Sequence, residues 1–460
     1  MLLHDTIAAI ATPLGESGIG VIRISGPDSL NLAYALLRTK KGLTFPQIQD
    51  HQLYYGNFID PLTNQLIDEV LFFYAAQPRS FTAEDTVEIQ THGSMFLLQK
   101  VLEVITANGA RLANPGEFTQ RAFLNGRIDL IQAEGIIDLI RAKTDKAHQL
   151  ALAQLSGKTS NHIQRLESEL YQILVHIEAL LDFPEEGIDE LERDQLTRDT
   201  LEIQNQLSTI YDTIDEGRKI KEGISVVIAG RPNVGKSSLL NALLQEEKAI
   251  VTDIPGTTRD IVEGFFQVQG IPIRLIDTAG LRETANPIEQ IGISKAEQII
   301  AEADLVLLVF DNNASFTPED QAIATKLTGG KLLVVINKTD LPSVLERQSI
   351  DGLQPKKVIE VSVKNDRGID QILQAILTLV GVGDINPDDR PMLSNIRHRN
   401  ALRDAIASLE TFSNGLELGM TEDLLAIDLR TALQALGEIT GKNVSEAVIH
   451  GIFEKFCIGK

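Results

Sequence analysis

Residues 230–237 read GRPNVGKS and follow the apolar run SVVIAG. Glycines at Gly230 and Gly235 let backbone N–H groups close around a phosphate chain. Lys236 brings a cation to the β/γ-phosphates, and Ser237 brings a hydroxyl that can ligate Mg²⁺. Asp277-Thr278-Ala279-Gly280 closes a second apolar run; its carboxylate can hold the magnesium shell and its glycine N–H can sense the γ-phosphate. Asn337-Lys338-Thr339-Asp340 closes a third. There a carboxylate can accept hydrogen bonds from the N1–H and the exocyclic amine of guanine, a pair that adenine does not offer. Ser362-Val363-Lys364 ends the next run and fits the remaining base-contacting loop. Between the first two motifs lies DIPGTTRD (253–260), whose Thr258 is the expected second protein ligand of Mg²⁺. In this order, the set reads as a site for hydrolysing GTP rather than ATP.

How water is activated is less determined. A glutamine commonly follows the DxxG motif, but here the position is Leu281, which cannot hydrogen-bond. Arg282 and Arg259 could neutralise transition-state charge from within the chain, or could be solvated loop charges. Glu283 and Glu289 are nearby carboxylates able to orient water. The residues alone leave these alternatives open.

Positioning such motifs requires strands that end where the motifs begin. From 222 to about 380 the chain alternates strand-like runs (SVVIAG, RLIDTAG, DLVLLVF, KLLVVINKTD, VIEVSV) with helical pattern. This predicts a parallel sheet with helices on both faces. Residues 129–217 instead repeat apolar side chains at three- and four-residue steps, as do 397–456. An α/β P-loop domain (220–381) inserted into an all-α helical domain (121–219 and 382–460) follows. The segment 182–188, DFPEEGI, is expected to turn between helices, and Pro387, Asp388 and Asp389 to form a linker. Residues 1–120 mix short β-like runs with helices near Ser29–Leu37 and Phe96–Ala107, which predicts an α+β domain.

Composition narrows the setting. One cysteine, Cys457, rules out an internal disulfide and points to a reducing, cytoplasmic environment. The apolar runs are strand-sized, far short of a membrane span, and the N-terminus, with Asp5 and no long apolar core, does not read as a signal peptide. A net charge of −22 argues against broad nucleic-acid binding, although a local basic patch could still hold a nucleic acid. Read from residue types alone, Arg23, Glu88, His92 and Arg127 are surface or capping residues, and Cys457 is a packing or inert thiol.

The α/β block resembles the TrmE-Era-Der-like GTPases, and the whole chain is similar to the MnmE (TrmE) family of tRNA modification GTPases. The likeness rests on DTIAAIATPLGESGIGVIRISG (5–26), SFTAEDTVEIQTHG (80–93), NPGEFTQRAFLNGRIDLIQAE (114–134), LDFPEEGI (181–188) and the terminal FCIGK (456–460).

The resemblance implies that Asn233, Val234, Gly235, Lys236, Ser237 and Ser238 bind GTP. It implies the same for Thr252, Asp253, Ile254, Pro255, Gly256 and Thr257, for Asp277, Thr278, Ala279 and Gly280, for Asn337, Lys338 and Asp340, and for Ser362, Val363 and Lys364. It further implies K⁺ in place of an arginine finger, held by Asn233, Thr252, Ile254 and Thr257, with Mg²⁺ on Ser237 and Thr258. The catalytic glutamate would be Glu289, twelve residues after Asp277.

The N-terminal domain would bind formyl- or methylene-tetrahydrofolate through Arg23, Glu88, Arg127 and Lys460, and would join a homodimer. Arg127 departs from the lysine common there, keeping charge but changing donor geometry. The implied activity is modification of the wobble uridine of certain tRNAs at C5, with an aminomethyl or carboxymethylaminomethyl group. An FAD-dependent partner, MnmG (GidA), would act in a hetero-oligomeric complex. The rival expectation is a regulatory or ribosome-assembly GTPase with no further chemistry.

Overall fold

The computed structural model describes residues 5–39, 48–182, 190–246, 262–277, 299–301, 303–327, 331–381, 387 and 390–460. Its contacts group the chain into two compact units: Met1–Ile137 with Ile163–Ser168 and Arg430–Lys460, and Asp138–His162 with Glu169–Leu429.

The first unit is built on a seven-stranded sheet ordered β3-β4-β5-β6-β2-β1-β7. The strands are β1 (Ile7–Ile10), β2 (Ser17–Ser25), β3 (Leu37–Thr39), β4 (Leu53–Ile59), β5 (Leu66–Ala75), β6 (Thr86–Gly93) and β7 (Arg111–Leu112). Helices α1 (Ser29–Leu36) and α2 (Met95–Ala107) cover one face. Alternation sets the pattern: Ile22, Ile24, Val87 and Ile89 point into the core, while Arg23 and Glu88 occupy the opposite face. The α+β expectation holds here. Strand β4 had no clear apolar signature, because its outward positions Tyr55 and Asn57 and its central Gly56 dilute the run LYYGNFI.

A smaller core closes this unit, with Leu130, Ala133, Phe453 and Phe456 packed together. The C-terminal segment therefore belongs with the N-terminal sheet. Gly459 (φ +91°) lies so near β1 that a Cβ would sit 2.2 Å from the Ile10 carbonyl, leaving room only for glycine.

The second unit contains a six-stranded sheet ordered β13-β12-β11-β8-β10-β9. Its strands are β8 (Ile224–Ala229), β9 (Val262–Val268), β10 (Ile271–Asp277), β11 (Leu305–Asp311), β12 (Leu332–Asn337) and β13 (Lys357–Glu360). Five strands run parallel, and the central β11 and β12 carry the unbroken apolar runs of strands covered on both faces. The exception is β9, which pairs antiparallel with β10 through a Gln269-Gly270 turn with φ of +50° and +78°. A two-residue turn with both φ positive forces the chain straight back, so an antiparallel strand is added at this edge of the expected parallel sheet. Helical segments of the same unit include Asp145–Leu155, Glu190–Glu222, Ile369–Val380 and Ile396–Glu417. Among the described residues no helix is long and apolar enough to cross a membrane.

The expected turn at 183–188 and the linker residues Asp388 and Asp389 lie outside the described residues.

Candidate functional site

The phosphate-binding loop leaves β8 at the centre of the second sheet and enters the helix Lys236–Glu246. The loop sits where neighbouring strands diverge to opposite sides, since β8 lies between β11 and β10; open α/β sheets bind ligands at such points. The first bond inside the helix runs from the Leu239 amide to the Gly235 carbonyl at 2.8 Å. A helix start presents its leading N–H groups outward, which suits phosphate oxygens. Lys236, only 7% exposed, curls back and donates to the carbonyls of Gly230 (3.0 Å) and Arg231 (2.8 Å). A phosphate chain would compete with those two carbonyls for its ammonium. Gly235 has φ +98°, and a Cβ there would lie 2.3 Å from Asn337 Nδ2. Glycine is required both by the backbone angle and by that close approach.

Asn337 ties three loops together. Its Nδ2 donates to the Val234 carbonyl at 3.0 Å, while its Oδ1 accepts from the amides of Lys338 (2.8 Å) and Val363 (3.3 Å). The Asp340 carboxylate accepts from the buried Ser362 hydroxyl at 2.7 Å. That bond holds Asp340 below the ordinary carboxylate pKa, with Lys364 and Lys338 assisting. An ionised acceptor fixed in this way is what a guanine N1–H and amine require. Asn233, Val234, Gly235, Lys236, Ser237, Ser238, Asn337, Lys338, Asp340, Ser362, Val363 and Lys364 thus belong to adjoining strand ends and loops of one sheet.

Ser237 is exposed at the start of its helix and can offer its hydroxyl to Mg²⁺. Asn233, also exposed, adopts the left-handed conformation (φ +64°) at the loop's outer turn. For Asp277 the strand end is described, in parallel register with Ile228. Thr252 to Thr258, Arg259, Thr278 to Gly280, Leu281, Arg282, Glu283 and Glu289 lie outside the described residues.

A second constellation occupies the first unit. Arg23 pairs with Glu88 across β2 and β6 at 2.7 Å. Its guanidinium lies 5.1 Å from the Phe81 ring centroid and 5.6 Å from that of Phe118. Arg127 stacks on the same Phe81 ring at 5.1 Å and donates to the Phe81 carbonyl. Partial burial and the nearby Arg23 charge both lower its pKa. Two cations converging on one aromatic ring make a place for an anionic, partly aromatic ligand. Lys460 follows Gly459, whose neighbour Ile10 adjoins Ala9, the cross-strand partner of Arg23. All four of Arg23, Glu88, Arg127 and Lys460 therefore fall in one unit.

His92 instead binds the Asp68 carboxylate through its ring Nδ1 (2.8 Å) and its backbone amide (2.9 Å). Exposed Cys457 lends its carbonyl to the amides of Gly116 and Lys460. Phe81 carried no sequence signal of its own, because an aromatic in a polar loop more often only packs.

Comparison with known proteins gives two family models. "GTP-binding protein TrmE N-terminus" matches residues 6–127, and "MnmE helical domain" matches residues 130–457. The tRNA modification GTPase MnmE of Thermoanaerobacter sp. (strain X514) is 45% identical over 460 residues, covering all of both chains. This chain belongs to the MnmE family of tRNA modification GTPases. The MnmE of Acetivibrio thermocellus is 46% identical over 461 residues, again covering both chains completely. A solved structure, the G domain of the T. maritima FeoB iron transporter, is 26% identical with a TM-score of 0.27, covering 34% of this chain and 98% of its own. The two constellations have separate places in these matches: Arg23, Glu88 and Arg127 fall within the TrmE match, Lys460 lies just past both, and the nucleotide motifs fall within the span of the helical-domain match.

Proposed function

We propose that this GTPase of tRNA modification hydrolyses GTP in the second unit and handles a tetrahydrofolate one-carbon donor in the first. The observation that carries the nucleotide half is the Asn337 junction. One buried amide holds the phosphate loop, the guanine-reading loop and the Ser362 loop in register. In this reading Ser237 and Thr258 hold Mg²⁺, which neutralises phosphate charge when bound. Asn233, Thr252, Ile254 and Thr257 hold K⁺, which supplies the positive charge that an arginine finger supplies elsewhere. Lys236 binds the phosphates, Asp340 selects guanine, and Glu289 orients the attacking water.

Arg23, Arg127 and Lys460 offer cationic groups to the acidic part of the folate, Phe81 offers a ring face, and Glu88 fixes Arg23. The domains in this reading are 1–120 for folate binding and dimerisation, 121–219 and 382–460 for the helical scaffold, and 220–381 for GTP. The protein is a cytoplasmic homodimer acting with the FAD-dependent MnmG (GidA) on C5 of the wobble uridine.

Nucleoside analysis of tRNA from a strain lacking this gene, together with GTP and ATP turnover by the purified chain, tests the reading. Loss of the C5 aminomethyl-type nucleosides and turnover of GTP alone are expected. Unaltered nucleosides with intact GTP turnover would favour a ribosome-assembly GTPase.

A further inference from the structure

One charge at the nucleotide site is not explained by the recognised motifs. Asp311 ends β11 directly opposite Asn337 in the parallel register with β12. Its Oδ2 lies 2.6 Å from Lys338 Nζ, while its Oδ1 accepts from the Asn313 amide at 2.9 Å. The same lysine ammonium donates to the Asn233 carbonyl at 2.9 Å. Lys338 and Asn233 both hold left-handed backbone angles, φ +63° and +64°, which non-glycine residues keep only where the surroundings impose them.

The Asp311 side chain is 15% exposed and the Lys338 side chain 34%. A lysine on a flexible four-carbon stem and this open to water would spread over many rotamers if only one carbonyl held it. The carboxylate supplies the second, charged anchor that selects the rotamer reaching the phosphate loop.

We infer that Asp311 is a positioning residue for nucleotide binding: its carboxylate aims Lys338 at the Asn233 carbonyl and so clamps the guanine-reading loop to the phosphate loop. The inference rests on the GTP-site reading. It adds that the base and phosphate halves of the site are coupled through a charge lying outside both motifs. Asn233 is held from its backbone side by this clamp, so its side chain is presented from a fixed turn. Loosening the clamp should speed nucleotide release without unfolding the sheet.

Asp311→Asn tests this on the full chain. The amide keeps an oxygen for the Asn313 bond and nearly the same shape, and removes the charge together with the oxygen that accepts from Lys338. Release of mant-GDP, measured by displacement in a stopped-flow instrument, should quicken about 2- to 5-fold, the scale of a partly exposed ion pair. The thermal unfolding midpoint should fall by no more than about 2–4 °C, since the pair also exists without nucleotide but few packing contacts change. Lys338→Met should quicken release as well, and adding Asp311→Asn to it should have little further effect, because both remove one clamp. An unchanged release rate in Asp311→Asn, or additive effects in the double variant, would overturn the inference while leaving the GTP reading intact. A wild-type chain that bound neither mant-GDP nor mant-GTP would overturn both.

Discussion

Replacing Asn337 by alanine removes three hydrogen bonds at once, to Val234, Lys338 and Val363. At about 0.5–1.5 kcal/mol net for each bond, the loss totals roughly 1.5–4.5 kcal/mol. The upper half of that range is expected, because Asn337 and Val234 are each only 3% exposed and a carbonyl left there without a donor bears its full desolvation penalty. Felt entirely in binding, this would weaken GDP roughly 10- to 2000-fold. The bonds exist without nucleotide, however, so part of the loss should appear as lower stability of the unliganded chain. Fluorescence titration with mant-GDP and urea unfolding of the same preparation measure the two parts, and their sum should fall within the stated range. Asn337→Asp refines the test: it keeps the acceptor for Lys338 and Val363 but loses the donor to Val234, so the phosphate loop should suffer most. Wild-type GDP affinity and an unshifted urea midpoint in Asn337→Ala would refute the idea that one amide holds the three loops.

Four further outcomes are expected. Glu289→Ala should slow GTP turnover at nearly unchanged GTP affinity, whereas Glu283→Ala should not; equal losses in steady-state assays would reverse the assignment. Exchanging K⁺ for Na⁺ should slow hydrolysis sharply, and a cation-independent rate would remove potassium from the mechanism. In the first unit, Glu117→Ala strips buried Arg121 and the exposed Arg111 of a shared carboxylate. It should destabilise the chain by about 3 kcal/mol, the lower end for breaking a buried pair, because Asp5 and Glu84 still contact Arg121. Burial pushes Glu117 up, but the bonds from Arg111, the Asn114 amide and Arg121 outweigh it and hold its pKa low; Arg111 likewise holds Asp5 low. Depressed carboxylates contribute stability that is present above the ordinary range near 4 and lost as pH falls through the folded values. Thermal midpoints from pH 6 to about 2 should therefore fall less in Glu117→Ala than in wild type. Finally, Arg127→Ala should weaken 5-formyl-tetrahydrofolate binding about tenfold by calorimetry, with Arg127→Lys recovering part of it.

Much of the nucleotide site was legible because its chemistry is local. Gly230 to Ser237, Asn337 to Asp340 and Ser362 to Lys364 each sit within a few residues of a strand end, and apolar runs mark those ends. What stayed hidden depends on partners distant in sequence. The β9–β10 hairpin turns on Gln269-Gly270, a weaker signal than Asn-Gly. Asp311 looks like an ordinary strand-ending acid until Lys338, 27 positions later, is placed against it. Phe81 gains meaning only when Arg23 and Arg127 meet on its ring. Glu117 and Arg121 are spaced four apart as surface helix charges commonly are, yet both are buried by the packing of their unit.

The tail that seats Gly459 against Ile10 also sets a schedule for synthesis. Arg127 leaves the ribosome 333 residues ahead of Lys460. At about 5–20 residues per second this is a delay of roughly 17 to 67 s. During that interval Arg23, Phe81 and Arg127 can already assemble, while the groove beside β1 still waits for its glycine and the small core waits for Phe453 and Phe456. A nascent chain would thus pass through a stage in which the sheet is paired but one apolar flank stays wet.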